Sequence, residues 1–528
     1  MIVGFGSRFA FSVGACLICS VICSKASTDV TAVTRERVHP VLIGKPHNPV
    51  MLITVSVSEK SVSLKSLSFD LHEASSRDDV AQFELFVAGK DGSFATNQSF
   101  GGPTSSDGPL VFKGDLPLKV GEHQLWLSCA LKDSADLSHH LDVTCTAIET
   151  TEGRIEPTDD TPGISHRTGV ALRQHNDDGV DTYRIPALAT TNDGTLLCAY
   201  DMRRRKSRDL QEDIDIGLSR STDGGQTWES PRVIMDMGTY GGLPQSQNGC
   251  SDPGLLVDRE TGDIFCFSVW MWGKPEHHQW RGIGSEPGYI IGESAQFMMV
   301  KSNDDGRTWS HPVNLTRQLK REDWWLFAPA PQQGITLRDG TLVMPTQGRD
   351  AEGVSFSNIM WSRDHGETWH VSEPATVDTS ECQAVELSDG SIMLNCRNKR
   401  GVQFRAVKVT NDLGHTWSEH PTHEKALIEP TCNGSLLRFE MSSQSKMTHV
   451  LLFANPHATD GRHHQTVQVS FDDGLTWPEA HHLLLDDGRG RGYPSLTQVD
   501  DKHVGIVYEG SQADVIFERI PSSELLNE

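Results

Sequence analysis

Five copies of one eight-residue phrase constrain this chain more than any other feature. They read STDGGQTW at 221–228, SNDDGRTW at 302–309, SRDHGETW at 362–369, TNDLGHTW at 410–417 and SFDDGLTW at 470–477. Their aspartates, Asp223, Asp304, Asp364, Asp412 and Asp472, stand 81, 60, 48 and 60 residues apart. Repeats of this size mark propeller blades or a similar array. The residue types describe a turn: Asp with Ser or Thr hydrogen-bonds to nearby backbone, Gly accepts positive φ, and Thr-Trp resumes a strand with a large apolar anchor. A site that works once does not need five carboxylates at five places, so these aspartates are assigned to the frame.

Between the phrases lie short strand-like runs, among them GTLLCAYDM, GDIFCFSVWMW, GTLVMPTQG, GSIMLNCRN, THVLLFANP and KHVGIVYEG. Nearly all follow a turn signal, and no amphipathic helix of normal length interrupts them. Residues 166–522 divided by six give about 59 per unit, close to the repeat. This predicts a six-bladed β-propeller in which one blade lacks the phrase. Upstream, NPVMLITVSVS, AQFELFVAG and EHQLWLSCAL are separated by turn residues and predict a β-sandwich over 30–150. Residues 151–165, polar with Pro and Gly, read as a linker. The expected fold class is all-β, and 528 residues suit two domains better than one core.

The N-terminus has another character. Arg8 precedes fifteen mostly apolar residues, Phe9 to Cys23, and SKA at 24–26 offers small residues at a cleavage site. Residues 1–26 therefore read as a secretory signal peptide, which implies a periplasmic or extracellular protein with no integral membrane segment in the mature chain. VGAC at 13–16 is a fainter lipoprotein-like signal. The net charge of −24, without a long basic run, argues against a nucleic-acid or anionic-membrane partner. Eight of the eleven cysteines lie beyond the signal, with no CxxC pair among them. No metal or other cofactor is expected. Cys129 and Cys145 are the closest pair, and spacing leaves open whether they form a disulfide or are buried thiols.

The repeated phrase matches the Asp box. Around it stand TYRIPAL at 182–188, YDMRRRKSRDLQEDIDIG at 200–217, SECQAVEL at 380–387, LNCRN at 394–398, NPHATDGRHHQTVQVS at 455–470, GYPSLTQ at 492–498 and GIVYEG at 505–510. In this order they resemble bacterial-type exo-α-sialidases over about 166–520, and the N-terminal part more weakly resembles the sandwich that precedes some of those propellers. The resemblance implies retaining hydrolysis of terminal α-linked sialic acid from glycoproteins, glycolipids or oligosaccharides. It implies that Arg184, Arg397 and Arg462 grip the sugar carboxylate. Tyr493 would be the nucleophile, Glu381 its base partner and Asp209 the acid/base. Glu509 would hold Arg184, and Arg203 would touch the sugar.

The chemistry explains these residue types. Guanidinium groups bind a planar carboxylate through paired, charge-assisted hydrogen bonds. That same carboxylate would repel an Asp or Glu nucleophile, whereas a neutral Tyr hydroxyl avoids the repulsion. A phenol near pKa 10 giving its proton to a Glu near 4.3 faces a cost of about 8 kcal/mol in water. Nearby arginines are expected to stabilise the phenolate and shrink that gap. Arg203, Arg204, Arg205, Lys206 and Arg208 crowd the segment before Asp209. They would hold it ionised and favour a low pH optimum, or form a solvated basic loop. SDPGLL at 251–256 and WMWG at 270–273 are candidates to shape the pocket, with Trp270 and Trp272 as blade packing the plainer reading. Two other functions stay open: a trans-sialidase with an acceptor site, and a catalytically silent propeller lectin. The sandwich is read as a carbohydrate-binding module or a spacer.

Overall fold

Alternation of apolar and polar side chains builds the first domain. In Asn48–Val57 and Val62–Leu71 the apolar residues mostly turn inward, and Ile53, Val55, Leu64 and Leu67 are fully or nearly fully buried. Period-2 patterning of this kind gives strands with one buried face. One sheet runs in the order Thr158–Asp159, Val30–Glu36, Asn48–Val57, Gly121–Leu131, Val80–Val87, and the facing sheet in the order Gly153–Ile155, Val143–Thr150, Val62–Leu71, Leu110–Leu118. The computed structural model describes residues 29–526 except 73, 106, 107, 211, 274–284, 444 and 445, so the expected signal peptide and VGAC lie outside the described residues.

The sandwich differs from expectation at two places. Residues 151–165 are not simply a linker: Gly153–Ile155 and Thr158–Asp159 are edge strands of the two sheets. Their side chains are mostly exposed, so they carry no apolar alternation to reveal them. The segment Val41–Ile43 lies inside the sandwich sequence yet pairs in parallel with His166–Arg173 of the second domain. Cys129 and Cys145 are buried free thiols, as are the six other cysteines among the described residues. Burial pushes both thiols up to about 12.

The second domain is propeller-like. Antiparallel four-strand meanders start from Thr182–Thr190, Asn248–Val257, Leu326–Pro329, Thr379–Glu386, Ser435–Ser443 and Gly492–Gln498. Thr182–Thr190, Leu196–Arg203 and Asn248–Val257 are buried at every position. A blade covered on both faces by its neighbours has no solvent face, so its strands show no alternation. The last meander takes its outermost strand from the start of the domain, because His166–Arg173 pairs antiparallel with Val515–Pro521.

Each Asp box follows the third strand of its meander. Asp364 Oδ1 accepts hydrogen bonds from the Ser362 hydroxyl at 2.7 Å and Thr368 N at 2.9 Å, its Oδ2 accepts the Thr368 hydroxyl at 2.5 Å, and Ser362 Oγ accepts Gly366 N at 2.9 Å. The same set recurs at Asp223, Asp304, Asp412 and Asp472. The meander without the phrase is the one whose third strand is followed by the closing strand from the other end of the domain.

Donation by the Thr368 hydroxyl and N–H and the Ser362 hydroxyl holds Asp364 at about 2. Donation by Thr416 N–H, the Thr416 hydroxyl and the Thr410 hydroxyl holds Asp412 at about 2 as well. These folded values lie below the ordinary ~3.9, so their stabilisation is complete above about pH 4 and is lost as the pH falls towards 2. Asp364→Ala is expected to lower the thermal midpoint by about 1–3 °C at pH 7, with a smaller difference at pH 2.5, and to leave turnover unchanged. Calorimetry at the two pH values and a hydrolysis assay check this.

Candidate active site

Three inner strands break register where they reach the axis. The ladders shift between Arg184 and Ala187, between Ser251 and Gly254, and between Gly492 and Ser495. At each break one residue has positive φ, namely Ile185 at 53°, Asp252 at 61° and Tyr493 at 45°. Each is followed by a proline, Pro186, Pro253 or Pro494. A residue before proline is kept out of the right-handed helical region, and proline donates nothing to the ladder. For a β-branched residue such as Ile185, positive φ is a strained conformation, and strain of this kind concentrates at functional sites. A fourth break, between Thr379 and Cys382, sets two residues, Ser380 and Glu381, across from Arg397 on the partner strand.

These kinks gather the predicted residues. Tyr493 donates its phenol proton to Glu381 Oε1 at 2.5 Å. Arg397 Nη1 donates to Glu381 Oε2 at 2.5 Å and to the Tyr493 oxygen at 3.1 Å. The Arg184 and Arg462 guanidinium carbons both lie 5.4 Å from the Tyr493 ring centre. Glu509 Oε1 accepts from Arg184 Nε at 2.6 Å and from Ile185 N at 2.7 Å, so one carboxylate fixes both the arginine and the kinked backbone beside it. Arg462 Nη1 donates to the Arg491 carbonyl at 3.0 Å. Among the described residues Arg184 therefore donates hydrogen bonds only through Nε, Arg462 only through Nη1 and Arg397 only through Nη1, and the buried Arg397 Nε has no partner.

The electrostatics of the tyrosine combine opposing effects. The Tyr493 phenol is pushed well above its ordinary value, by burial first and then by the Glu381 carboxylate, while Arg397 and Arg462 oppose this. The arginines favour the phenolate, as expected, but burial and Glu381 outweigh them. They sit beside a neutral tyrosine whose proton already points at its acceptor. Against the cost of its burial, Arg184 is held above the usual arginine value by Glu509.

Asp209 lies on the loop after Leu196–Arg203 and lines the same pocket. Arg203 Nη1 meets its Oδ1 at 2.6 Å. The other cations of the cluster divide: Arg204 pairs with Asp215 at 2.5 Å and Lys206 with Glu212 at 2.9 Å, while Arg205 and Arg208 are exposed. Arg203 does not fulfil its expected sugar contact here, because its side chain is 0% exposed and its nitrogens are engaged by Asp201, Ser207 and Asp209. Trp270 is packed within a blade, with its indole N–H on Asn248 at 2.8 Å, and Trp272 donates to Gln247 at 2.7 Å.

The pocket has a volume of about 230 Å³, and its wall includes residues outside the predicted catalytic and binding set. Arg349 and Lys399 stand on its wall, and neither belongs to a recognised motif. Asp252 reaches it from SDPGLL, whose Asp-Pro kink repeats the Ile-Pro and Tyr-Pro kinks and was the available signal. Burial, then the neighbouring Asp201, Glu381 and Asp209, push Asp252 well above the carboxylate range. None of the five Asp-box aspartates lines this pocket.

Comparisons with known proteins agree with this geometry. Residues 194–508 match the BNR repeat-like domain, and residues 29–153 match the N-terminal domain of BNR-repeat neuraminidase. A sialidase of Bacteroides fragilis is 35% identical across 97% of this chain and 98% of its own length. A sialidase of Micromonospora viridifaciens is 36% identical across 63% of this chain and 50% of its own. The solved structure of the Hadza microbial sialidase Hz136 superposes with a TM-score of 0.87 at 36% identity, covering 93% of this chain and all of that one. Trypanosoma rangeli sialidase, solved with 2,3-difluorosialic acid as a covalent intermediate, shares the fold at 20% identity, with a TM-score of 0.57 over 68% of this chain and 59% of its own. The chain belongs to the BNR-repeat sialidase family, the retaining exo-α-sialidases.

Proposed function

We propose that Tyr493, Glu381 and Asp209 carry the sialidase reaction of this chain and that Arg184, Arg397 and Arg462 bind the substrate carboxylate. The observation that carries this reading is the set of three arginines around one buried tyrosine, each with donors left over. Donors that are buried and unmatched favour an anion of fitting shape, and a carboxylate accepts paired guanidinium bonds.

The anion makes the tyrosine usable. Sugar binding brings the anomeric carbon to the phenol oxygen, and Glu381, already the acceptor at 2.5 Å, takes the proton as the new bond forms. The buried neutral phenol avoids the barrier that the substrate carboxylate would set against an ionised nucleophile. Asp209 gives a proton to the departing oxygen and then takes one from the water that attacks the sialyl–Tyr493 adduct. Two displacements on one carbon return the α-configuration.

Terminal sialic acids of glycoproteins, glycolipids and oligosaccharides are the substrates of this reading, supported by the family and by a pocket sized for one sugar residue. The six-blade count rests on the six meanders. Export through residues 1–26 rests on the apolar run Phe9 to Cys23. Among the described residues no helix is long and apolar enough to cross a membrane.

Tyr493→Phe is expected to lower kcat on a 4-methylumbelliferyl α-sialoside by about 10³-fold or more. Proton NMR of the wild-type reaction should show α-sialic acid first, before mutarotation. Initial release of the β-anomer would refute the covalent route. Glu509→Gln keeps the shape of the Arg184 brace but removes its charge. It should raise KM about 10-fold or more and lower kcat less, since it loosens an arginine that grips ground state and transition state alike. Initial rates across substrate concentration separate the two parameters.

A further inference from the structure

We propose that Asp201, which touches no substrate, is the positioning residue for Asp209 and acts through Arg203. This inference rests on the reading of Asp209 as the acid/base. Asp201 and Arg203 are two apart on Leu196–Arg203 and so share a face of the strand. Arg203 is the last residue of that strand, and its side chain folds back over the loop that follows. Its Nε and Nη2 donate to Asp201 Oδ2 at 3.2 and 2.9 Å. Its Nη1 donates to the Ser207 carbonyl at 2.7 Å and meets Asp209 Oδ1 at 2.6 Å. One rigid guanidinium thus joins a carboxylate inside the blade to a carboxylate in the pocket.

Burial gives Asp201 its weight in this bridge. The side chains of Asp201 and Arg203 are both 0% exposed, whereas that of Asp209 is 36% exposed. A guanidinium at such a depth needs a counter-charge, and Asp201 shares that role with Asp209. Asp201 is itself pinned from the next meander: Ser251 Oγ donates to Oδ2 at 2.7 Å and Asp252 N donates to Oδ1 at 3.1 Å. Asp252 is the kinked residue of that inner strand, so Asp201 ties the frame of two meanders to the pocket loop. Leu210, fully buried against Val269, Met271 and Leu326, anchors the loop backbone beside Asp209. The direction and charge balance of the Asp209 carboxylate remain to be set, and Arg203 bears on both.

Two carboxylates share one guanidinium charge in this arrangement. With Asp201 neutral, the whole cation faces Asp209, holding it as an ion pair turned away from the leaving oxygen. The step that suffers is proton donation, in which the Asp209 O–H bond breaks as the glycosidic oxygen gains the proton and departs. Aryl leaving groups depart without that proton, and sugar leaving groups do not.

The test compares kcat/KM on 4-methylumbelliferyl α-sialoside and on a sialyl-galactoside. Asp201→Asn should lower the second by about 10²-fold and the first by less than roughly 3-fold, the scale of a catalytic group displaced by about 1 Å. Ser251→Ala, which removes one support of Asp201 without burying a charge alone, should show the same preference at about 3- to 10-fold, and it decides the matter if Asp201→Asn does not fold. Equal losses on both substrates would make Asp201 merely structural and overturn the proposal. Asp209→Asn distinguishes the underlying reading: if it shows no leaving-group preference, the acid/base assignment fails and this inference fails with it.

Discussion

The pairing of His166–Arg173 with Val515–Pro521 is the contact on which the site depends. It joins strands more than 340 residues apart and completes the last meander. It helps hold the first and last inner strands side by side, together with hydrogen bonds such as Leu188 N to Ser495 Oγ, and one contact of the pocket crosses that seam. Arg184 and Glu509, 325 residues apart, meet across it, and elsewhere in the ring Tyr493 reaches Glu381 over 112 residues. Long-range closure carries an entropic cost that grows slowly with length. It is offset by burial of whole strands, with Val507, Val515 and Phe517 all at 0% exposure beside the seam.

The charge arrangement in the pocket runs against that of the whole protein. The chain carries −24 overall, yet the pocket gathers Arg184, Arg397 and Arg462. Each of these buried or half-buried cations comes with a specific carboxylate or carbonyl: Glu509 for Arg184, Glu381 for Arg397, the Arg491 carbonyl for Arg462. Removing either member of the Arg184–Glu509 or Arg397–Glu381 pair leaves a charge uncompensated. The partners are placed so that they satisfy only part of each guanidinium. This leaves a site stable without ligand and still short of acceptors, a condition that an anionic sugar meets.

Much of this was legible in the sequence, for identifiable reasons. The Asp box is local, with donors and acceptors two to four residues apart, so its turn is encoded in eight consecutive residues. Tyr493, Glu381 and the three arginines were legible only through motif resemblance, because their meeting depends on ring closure. The edge strands at 153–159 escaped notice because their side chains are exposed. Arg203 was given to the sugar because an arginine in a pocket motif looks like a ligand contact. Its partner Asp201 stands two residues earlier in the same motif, but only burial shows that the pair faces inward. The upward push on Tyr493 was missed because sequence reveals which charges gather, not how much water is removed.

The sandwich is not a separable appendage, and the seam explains why. The closing strand His166–Arg173 lies between Val515–Pro521 on one side and Val41–Ile43 on the other. The N-terminal segment therefore supplies the edge of the last sheet and covers its open hydrogen-bonding groups. Polar contacts continue along the join: Arg37 Nε donates to Asp487 at 2.9 Å, Val38 N to the same carboxylate at 3.2 Å, and Lys45 Nζ to the Gln512 carbonyl at 2.8 Å. The apolar core is also continuous, from Ile53 and Leu127 through Leu172 to Tyr183 and Phe517. A domain that shares both a sheet and a core with the ring cannot swing on a linker. It braces the seam that brings Glu509 to Arg184, so the first domain bears on the active site through closure without reaching the pocket.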